Sequence, residues 1–181
     1  MKRILAAIPL VLVIILGGFL LWGLNEDRDP NEIPSALIGR EMPELVLKTI
    51  PGLSDGGLDP GVVSTHEIAL VNVFASWCVP CRAEHGPLSQ LAVDEDLPLY
   101  GLNYRDQADA AFEWLEELGN SYQGIGFDET GRAGIEWGIS GVPETFILQN
   151  GVIVHRHLGP IVGETATRQF MDALNAVRGA S

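Results

Sequence analysis

The apolar residues are concentrated in one uninterrupted run near the N-terminus. Residues 4–24 hold no charged side chain. At about 1.5 Å per residue, a helix of this length spans about 31 Å, enough to cross a hydrocarbon core of about 30 Å. Lys2 and Arg3 precede the run and acidic residues follow it, so the positive-inside rule places the rest of the chain outside the cytoplasm. We predict a membrane anchor within residues 1–24. The alternative, a cleaved signal peptide, is disfavoured because its apolar region usually spans roughly 7–15 residues.

A polar segment separates the predicted anchor from a remainder of domain size. Residues 25–37 contain Pro30 and Pro34, and a residue that precedes proline avoids helical backbone. This segment is therefore predicted to be an extended tether. Residues 38–178 are enough for one domain with one core.

Within the predicted domain, the spacing of apolar residues alternates between strand-like and helix-like. A nearly continuous apolar run at 68–75 predicts a central strand buried on both faces, and Asn150-Gly151 predicts a hairpin turn. Asp106 and Gly119 are the expected first and last boundaries of an amphipathic helix. The predicted strands are 45–47, 68–75, 99–103, 145–149 and 152–158; the predicted helices are 78–91 (interrupted near Pro87), 106–118, 132–137 and 165–177. This order predicts an α/β layer fold with a partly parallel sheet.

Composition and charge exclude several classes of protein. The 181 residues carry a net charge of −13, and because Lys2 and Arg3 precede the anchor, the remainder carries −15. So acidic a surface argues against binding nucleic acid, whose phosphates require Lys and Arg. The two cysteines can close a single bridge, which excludes a small scaffold held together by disulfides.

The two cysteines form a Cys-x-x-Cys motif, Cys78-Val79-Pro80-Cys81, at the predicted junction of a strand and a helix. Free N–H groups and partial positive charge at a helix N-terminus stabilise a thiolate, so the pKa of Cys78 is expected below the ~8.5 of a free thiol. Pro80 suits the first helical turn. We expect Cys78 to attack and Cys81, one turn further into the helix, to resolve the mixed disulfide.

Three other roles for the cysteines are less consistent with the sequence. A purely structural bridge over so short a loop stabilises little. A zinc site needs four ligands, and His85 is the nearest histidine. Haem attachment needs a histidine directly after the second cysteine, where this chain has Arg82.

The segment around the motif resembles the thioredoxin superfamily. Residues 71–81 are similar to its active-site strand and helix, and Gly141-Val142-Pro143 is similar to its cis-proline loop. The resemblance implies a thioredoxin-like α/β fold, a central mixed sheet flanked by helices, following one N-terminal transmembrane helix. It also implies a cis bond between Val142 and Pro143, and a client groove that includes Trp77, Val142 and Pro143.

Four further segments resemble the CcmG/DsbE proteins, which are membrane-anchored periplasmic thiol–disulfide proteins of cytochrome c maturation: residues 81–85, 101–106, 127–131 and 141–146. The resemblance implies a reductase in the inner membrane with its domain in the periplasm. Its client would be apocytochrome c or a partner in that pathway, and its electron donor an inner-membrane thiol protein of the DsbD/CcdA type. No dissociable cofactor and no metal are expected. The alternatives are a reductase of another exported target, such as a copper-site cysteine pair, or a copper-binding chaperone.

The buried acid that thioredoxins carry on the central strand is replaced here by Asn72, which cannot ionise. Glu84, about one helical turn after Cys81, and Glu144, directly after Pro143, are the candidates to handle protons or modulate the site, and the resemblance points to the same two positions. We expect at least one of them to border the active site; the alternative is that both are solvated surface acids. A carboxylate close to Cys78 would raise its pKa, so Glu144→Gln is predicted to lower it.

Three histidines are predicted to be surface residues and not metal ligands. His85 is expected on a helix surface, and His155 and His157, which share one face of a strand, are expected on a solvated face rather than in a metal site.

Overall fold

The computed structural model describes residues 12–13, 15–18 and 37–179. The chain divides into two units, Met1–Ile33 and Pro34–Ser181. In the first, the described residues are helical. None of the helices among the described residues is both long and apolar enough to cross a membrane. Most of the predicted anchor and nearly all of the predicted tether lie outside the described residues.

The second unit is built on a five-stranded mixed sheet with the strand order β3-β2-β1-β4-β5. The strands are β1 (Ile68–Phe74), β2 (Leu99–Tyr104), β3 (Gly124–Asp128), β4 (Glu144–Gln149) and β5 (Val152–Leu158). The helices are α1 (Pro60–Val63), α2 (Val79–Asp94), α3 (Ala108–Leu118), α4 (Arg132–Glu136) and α5 (Gly163–Gly179). The strand β1 pairs in parallel with β2 and antiparallel with β4, so the predicted mixed α/β architecture is confirmed.

The central strand β1 is buried on both faces, as its apolar run predicts. Leu70 and Phe74 join a core cluster on one face of the sheet, which also contains both cysteines and the inner side of α5. Val71 and Val73 join a second cluster on the other face. Alternation along a strand produces this division, and it places Asn72, between the two valines, on the face of the cysteines.

The hairpin and the last helix also follow the sequence pattern. Asn150 and Gly151 both have positive φ, 49° and 81°, as a primed turn between β4 and β5 requires. In α5, Phe170, Leu174 and Val177 recur at helical spacing and are buried.

The prediction of a strand at 45–47 is wrong, and β3 was missed. Leu47 forms only an isolated bridge with Leu58, because the glycine- and proline-rich segment that follows does not continue the pairing. The pattern does not reveal β3 because two of its residues, Gly124 and Gly126, are poor strand formers. Both are needed there, because the backbone at Gly56 and Gly57 lies against Gly124, and Leu47 and Leu58 pack against Gly126.

Two details of the predicted helices also differ. The helix α2 continues without a break through Pro87, which lies on the exposed side of the helix, where water can replace the missing N–H. The N-cap of α3 is Gln107 rather than Asp106, because the carboxylate of Asp106 is turned toward the residues that precede Cys78.

We expect Gly126→Ala to destabilise the domain. The added Cβ would lie 2.7 Å from the Cβ of Leu58 and 2.8 Å from that of Leu47, and crowding of this kind typically costs about 1–3 kcal/mol. Urea unfolding would measure the change in the free energy of unfolding. In the matched control, Gly86→Ala, the added Cβ meets no atom within 4 Å, so the change should stay within about 1 kcal/mol. Equal stability of Gly126→Ala and the parent protein would contradict the close packing.

Candidate active site

Cys78 and Cys81 form a disulfide at the N-terminus of α2, with their Cα atoms 5.3 Å apart. Cys78 is the N-cap residue, and its Sγ accepts a hydrogen bond from the backbone N–H of Cys81 at 3.1 Å. The cap position arises because β1 ends in the core and the chain turns directly into the helix, with Pro80 in the first turn. When the bridge opens, a thiolate at Cys78 would meet an N–H donor and the positive end of the helix dipole.

The surface beside the disulfide is apolar and partly exposed. Trp77 is 57% exposed, and its indole N–H donates to the backbone oxygen of Arg105 at 2.9 Å. The Val142–Pro143 bond is cis, as the resemblance implies. Val142 is half-buried and packs against the core cluster that contains both cysteines.

Asn72 connects three elements beneath the disulfide. Its amide nitrogen donates to Glu84 Oε1 at 2.9 Å and to Thr145 Oγ1 at 3.0 Å. Its amide oxygen accepts from the Tyr122 hydroxyl at 2.8 Å. The residue that replaces the buried acid of thioredoxins therefore holds another acid, Glu84, in place from the central strand.

Glu84 is 1% exposed, so it is not the solvated surface acid of the alternative interpretation. Its second oxygen accepts from the backbone N–H of Ile161 at 2.9 Å. Burial raises the pKa of Glu84 from 4.5 to about 7, although the hydrogen bonds from Ile161 and Asn72 act in the opposite direction. Burial and the nearby charge of Glu84 also raise the pKa of Tyr122 well above its ordinary value. Glu84 can therefore gain or lose a proton near neutral pH, one turn along the helix from Cys81.

Glu144 is equally buried but has a different environment. Its carboxylate accepts from the backbone N–H groups of Ser140 and Gly141 at 2.8 and 2.9 Å and from the Ser140 hydroxyl at 2.7 Å. It also forms a buried ion pair with Arg156 at 2.8 Å. Because Thr145 faces Asn72, strand alternation turns Glu144 to the other face of the sheet. Glu144 therefore fixes the loop that leads into the cis proline, and its charge is compensated there by Arg156.

The sequence interpretation missed the roles of Asp106 and Ser76. Asp106, expected as a helix cap, is 5% exposed and accepts from the backbone N–H and hydroxyl of Ser76 at 2.5 and 2.6 Å. A signal was available: Asp106 follows a strand predicted to lie parallel to the central one, and the carboxyl ends of parallel neighbours meet at one edge of the sheet.

The histidines are less exposed than predicted. His85 is buried; its Nε2 donates to the Gly119 carbonyl oxygen at 2.8 Å, and its ring contacts Trp114. His155 and His157 are half-buried, and burial lowers the pKa of all three histidines. Within residues 12–13, 15–18 and 37–179, no group of three His, Cys, Asp or Glu side chains is arranged to hold a metal ion.

The chain is similar over most of its length to several thiol:disulfide interchange proteins. It is 41% identical over 178 residues to the "Thiol:disulfide interchange protein DsbE homolog" of Paracoccus denitrificans, covering 96% of this chain and 94% of that protein. It is 39% identical to DsbE of Escherichia coli K12, covering 89% and 88% of the two chains. It is 37% identical to CycY of Rhizobium leguminosarum, covering 97% and 95%. No family model matches the chain.

Similar solved structures show the fold independently. A secreted Mycobacterium tuberculosis disulfide oxidoreductase superposes with a TM-score of 0.60 at 15% identity, covering 73% of this chain and 96% of that one. A thiol-disulfide oxidoreductase from Bacteroides fragilis gives a TM-score of 0.59 at 19% identity, covering 75% and 99%. The described domain therefore has the thioredoxin-like fold that the resemblance implies.

We expect Glu84→Gln to change how stability depends on pH. The carboxyl group holds its proton up to about pH 7 in the folded protein but only to about 4.5 when unfolded. The folded state therefore binds more protons between these values, and the free energy of unfolding falls as pH rises through this range. The decline due to Glu84 is roughly 3 kcal/mol at most, and it should be absent in the variant. Urea unfolding at several pH values would measure it, with Glu117→Gln as the exposed control. Parallel curves for Glu84→Gln and the parent protein would contradict the raised pKa.

Arg156→Met should strongly destabilise the domain, because it leaves the carboxylate of Glu144 buried without its cation. The expected loss is about 3–5 kcal/mol in the free energy of unfolding, measurable by urea denaturation. Arg168→Met is the matched control: its ion pair with Glu164 is exposed, and the expected change is below about 0.5 kcal/mol. A loss as small as that of the control would show that Glu144 does not depend on Arg156.

Proposed function

The chain belongs to the DsbE family of thiol:disulfide interchange proteins, and from that premise we propose that it is a reductase which keeps cysteines reduced for haem attachment during cytochrome c maturation. Thiol–disulfide interchange is the activity of this family. The observation that best supports placing it at the Cys-x-x-Cys motif is the Cys78–Cys81 disulfide, which caps α2 through the Cys78 sulfur.

In the proposed reaction, Cys78 is the attacking residue and Cys81 the resolving one. The Cys78 thiolate attacks a client disulfide, forms a mixed disulfide and displaces one client thiolate. Cys81 then loses its proton and attacks the Cys78 sulfur, which closes the Cys78–Cys81 disulfide and displaces the second client thiolate. The client gains two electrons and the cysteine pair loses two, so no dissociable cofactor is needed.

Glu84 is the proposed acceptor of the Cys81 proton. Three observations support this role: it follows Cys81 by one turn of α2, burial raises its pKa to about 7, and it has no cation among its described partners. Asn72 and the Ile161 N–H keep the carboxylate in place while its charge changes. A base with a pKa near the working pH is suited to proton transfer in both directions.

The proposed client groove lies beside Cys78 and includes Trp77, Val142 and Pro143. The exposed indole of Trp77 and the half-buried Val142 offer apolar surface next to the disulfide. Glu144 contributes indirectly, since it fixes the loop that precedes Pro143. The prediction that Glu144→Gln lowers the pKa of Cys78 stays open, but the ion pair with Arg156 limits the expected size of that effect.

The proposed client is apocytochrome c, or a thiol protein of the same pathway, and the proposed electron donor is an inner-membrane thiol protein of the DsbD/CcdA type. This part rests on the resemblance of the four sequence segments. The charge of −15 after the predicted anchor would favour encounters with basic clients. The same proposal assigns residues 4–24 as a single membrane anchor, with the domain in the periplasm.

The reductase assignment predicts a low reduction potential. Equilibration of the Cys78–Cys81 couple with glutathione should give a value well below about −200 mV. A potential near the ~−120 mV of a strong oxidant would contradict a reductase and indicate an oxidase instead.

The alternative that the protein is a copper-binding chaperone has a separate test. Copper titration of the reduced protein should show no tight binding, and tight copper binding would favour the chaperone.

The client assignment predicts covalent trapping by Cys81→Ser. This variant retains Cys78 but cannot resolve the mixed disulfide, so it should accumulate a complex with a disulfide-bonded Cys-x-x-Cys-His peptide, the haem-attachment sequence. The complex would be detected by mass spectrometry. Cys78→Ser is the control and should trap little. Trapping through Cys81 alone would reverse the two assigned roles.

A further inference from the structure

We propose that Asp106 is a positioning residue of the active site, which fixes Ser76 and Trp77 so that a peptide client can dock beside Cys78. The inference rests on the interchange activity and on the proposed role of Trp77 in the client groove. It assigns to the turn between β2 and α3 a part in client binding.

The carboxylate of Asp106 is buried and accepts four hydrogen bonds. Its Oδ1 accepts from the Ser76 hydroxyl at 2.6 Å and from the Gln107 N–H at 2.9 Å. Its Oδ2 accepts from the Ser76 N–H at 2.5 Å and from the Asn103 amide at 2.9 Å. Both oxygens thus bind Ser76, and hydrogen bonds to an ionised carboxylate are among the strongest in proteins.

The neighbouring residue of the same turn holds Trp77. The indole N–H of Trp77 donates to the Arg105 backbone oxygen at 2.9 Å. Arg105 has a φ of +47°, a conformation that a non-glycine residue adopts at some cost. The backbone N–H of Arg105 donates to the backbone oxygen of Asp128 at 2.8 Å, which connects the turn to β3. Two consecutive residues of the turn therefore hold two consecutive residues of the active-site loop.

These contacts add to the backbone hydrogen bond that closes the turn, from the Cys78 N–H to the Ala75 oxygen at 3.1 Å, and unlike that bond they involve the side chains of Ser76 and Trp77. Ser76 and Trp77 lie between β1 and α2, outside both elements. Trp77 is 57% exposed, so burial contributes little to its orientation. By contrast, the cap of α2 depends on the Cys78 sulfur and the Cys81 N–H, neither of which involves Asp106. Loss of Asp106 should therefore displace the docking surface while the disulfide chemistry persists.

Because the docking surface and the cap of α2 depend on different contacts, loss of Asp106 should slow the reaction of Cys78 with a peptide disulfide more than its reaction with a small disulfide. A peptide must dock against Trp77 before its sulfur reaches Cys78, whereas a small disulfide needs only the thiolate. Asp106→Asn removes the charge and replaces one acceptor oxygen with a donor, which opposes either the Ser76 N–H and the Asn103 amide or the Gln107 N–H. Ser76→Ala removes only the hydroxyl bond, so its effect should be smaller.

The test uses the full chain with Cys81→Ser as background, so that a single attack is observed. The Cys78 thiolate displaces pyridine-2-thiolate from two probes. One is a haem-attachment-site peptide in which one cysteine is replaced by serine and the other is activated as its 2-thiopyridyl disulfide, and the second is the corresponding disulfide of 2-mercaptoethanol. Saturation kinetics over a range of pH give the limiting rate, the half-saturating peptide concentration and the Cys78 pKa. Asp109→Asn, an exposed acid in the first turn of α3, is the matched control.

For Asp106→Asn we expect the second-order rate constant with the peptide to fall at least tenfold, mainly through a higher half-saturating concentration. The rate with the small disulfide, compared at full deprotonation of Cys78, should change less than about twofold. Ser76→Ala should show the same selectivity with about a threefold loss, and it provides the test if Asp106→Asn does not fold. Acrylamide quenching of Trp77, taken as the difference from Trp77→Phe, should increase in both variants.

The inference is overturned if Asp106→Asn and Ser76→Ala keep the reactivity of the background protein toward the peptide, or lose reactivity equally toward both probes. It is also overturned if the background protein does not prefer the peptide to the small disulfide. A scrambled peptide separates a failure of the client assignment from a failure of the role proposed for Asp106. Equal reaction with the haem-site and scrambled peptides would contradict the client assignment alone, since the effect of Asp106→Asn would still be measured on the scrambled peptide.

Discussion

The burial of β1 on both faces is the constraint on which the active site depends. A strand held between two core clusters cannot shift without moving both of them, so the point where it ends is fixed. The chain leaves that point through three residues and enters α2 with a cysteine as its cap. The core therefore sets the position of the Cys78 sulfur, and the helix provides the N–H group that donates to it.

Three buried carboxylates surround this junction, and their partners determine what each can do. Glu144 has a cation, Arg156, and three donors from the loop before the cis proline. Asp106 accepts from four donors, two on each oxygen. Glu84 has two donors and no cation among its described partners, and it is the one whose pKa burial raises to about 7. The acid with the fewest compensating partners is the one suited to proton transfer, while the other two hold loops.

The parts of the molecule that local sequence determines were predictable. The apolar run of β1, the Asn150-Gly151 turn and the inward stripe of α5 each depend on residues close together in the chain. The missed features depend on residues far apart. The glycines of β3 are explained only by distant segments, the backbone at Gly56 and Gly57 against Gly124 and two leucines against Gly126, and the burial of His85 only by Gly119 and Trp114. At the site, the motif indicated Cys78 and Cys81, and helical spacing together with the resemblance indicated Glu84. Asp106, by contrast, binds Ser76 between the ends of two parallel strands, which no local pattern specifies.

The two carboxylates that hold loops act on two different segments of the proposed site. Asp106 fixes the residues before Cys78, and Glu144 fixes the residues before Pro143, each by accepting backbone N–H groups of the loop it holds. The hydrogen bonds that order the two loops use backbone N–H groups, serine hydroxyls and the indole N–H of Trp77. They leave the ring face of Trp77 and the side chain of Val142 to the proposed client. Both carboxylates are buried, which strengthens their hydrogen bonds and keeps water from competing. The proposed client surface can therefore be apolar and exposed, because the carboxylates that order it lie inside the domain.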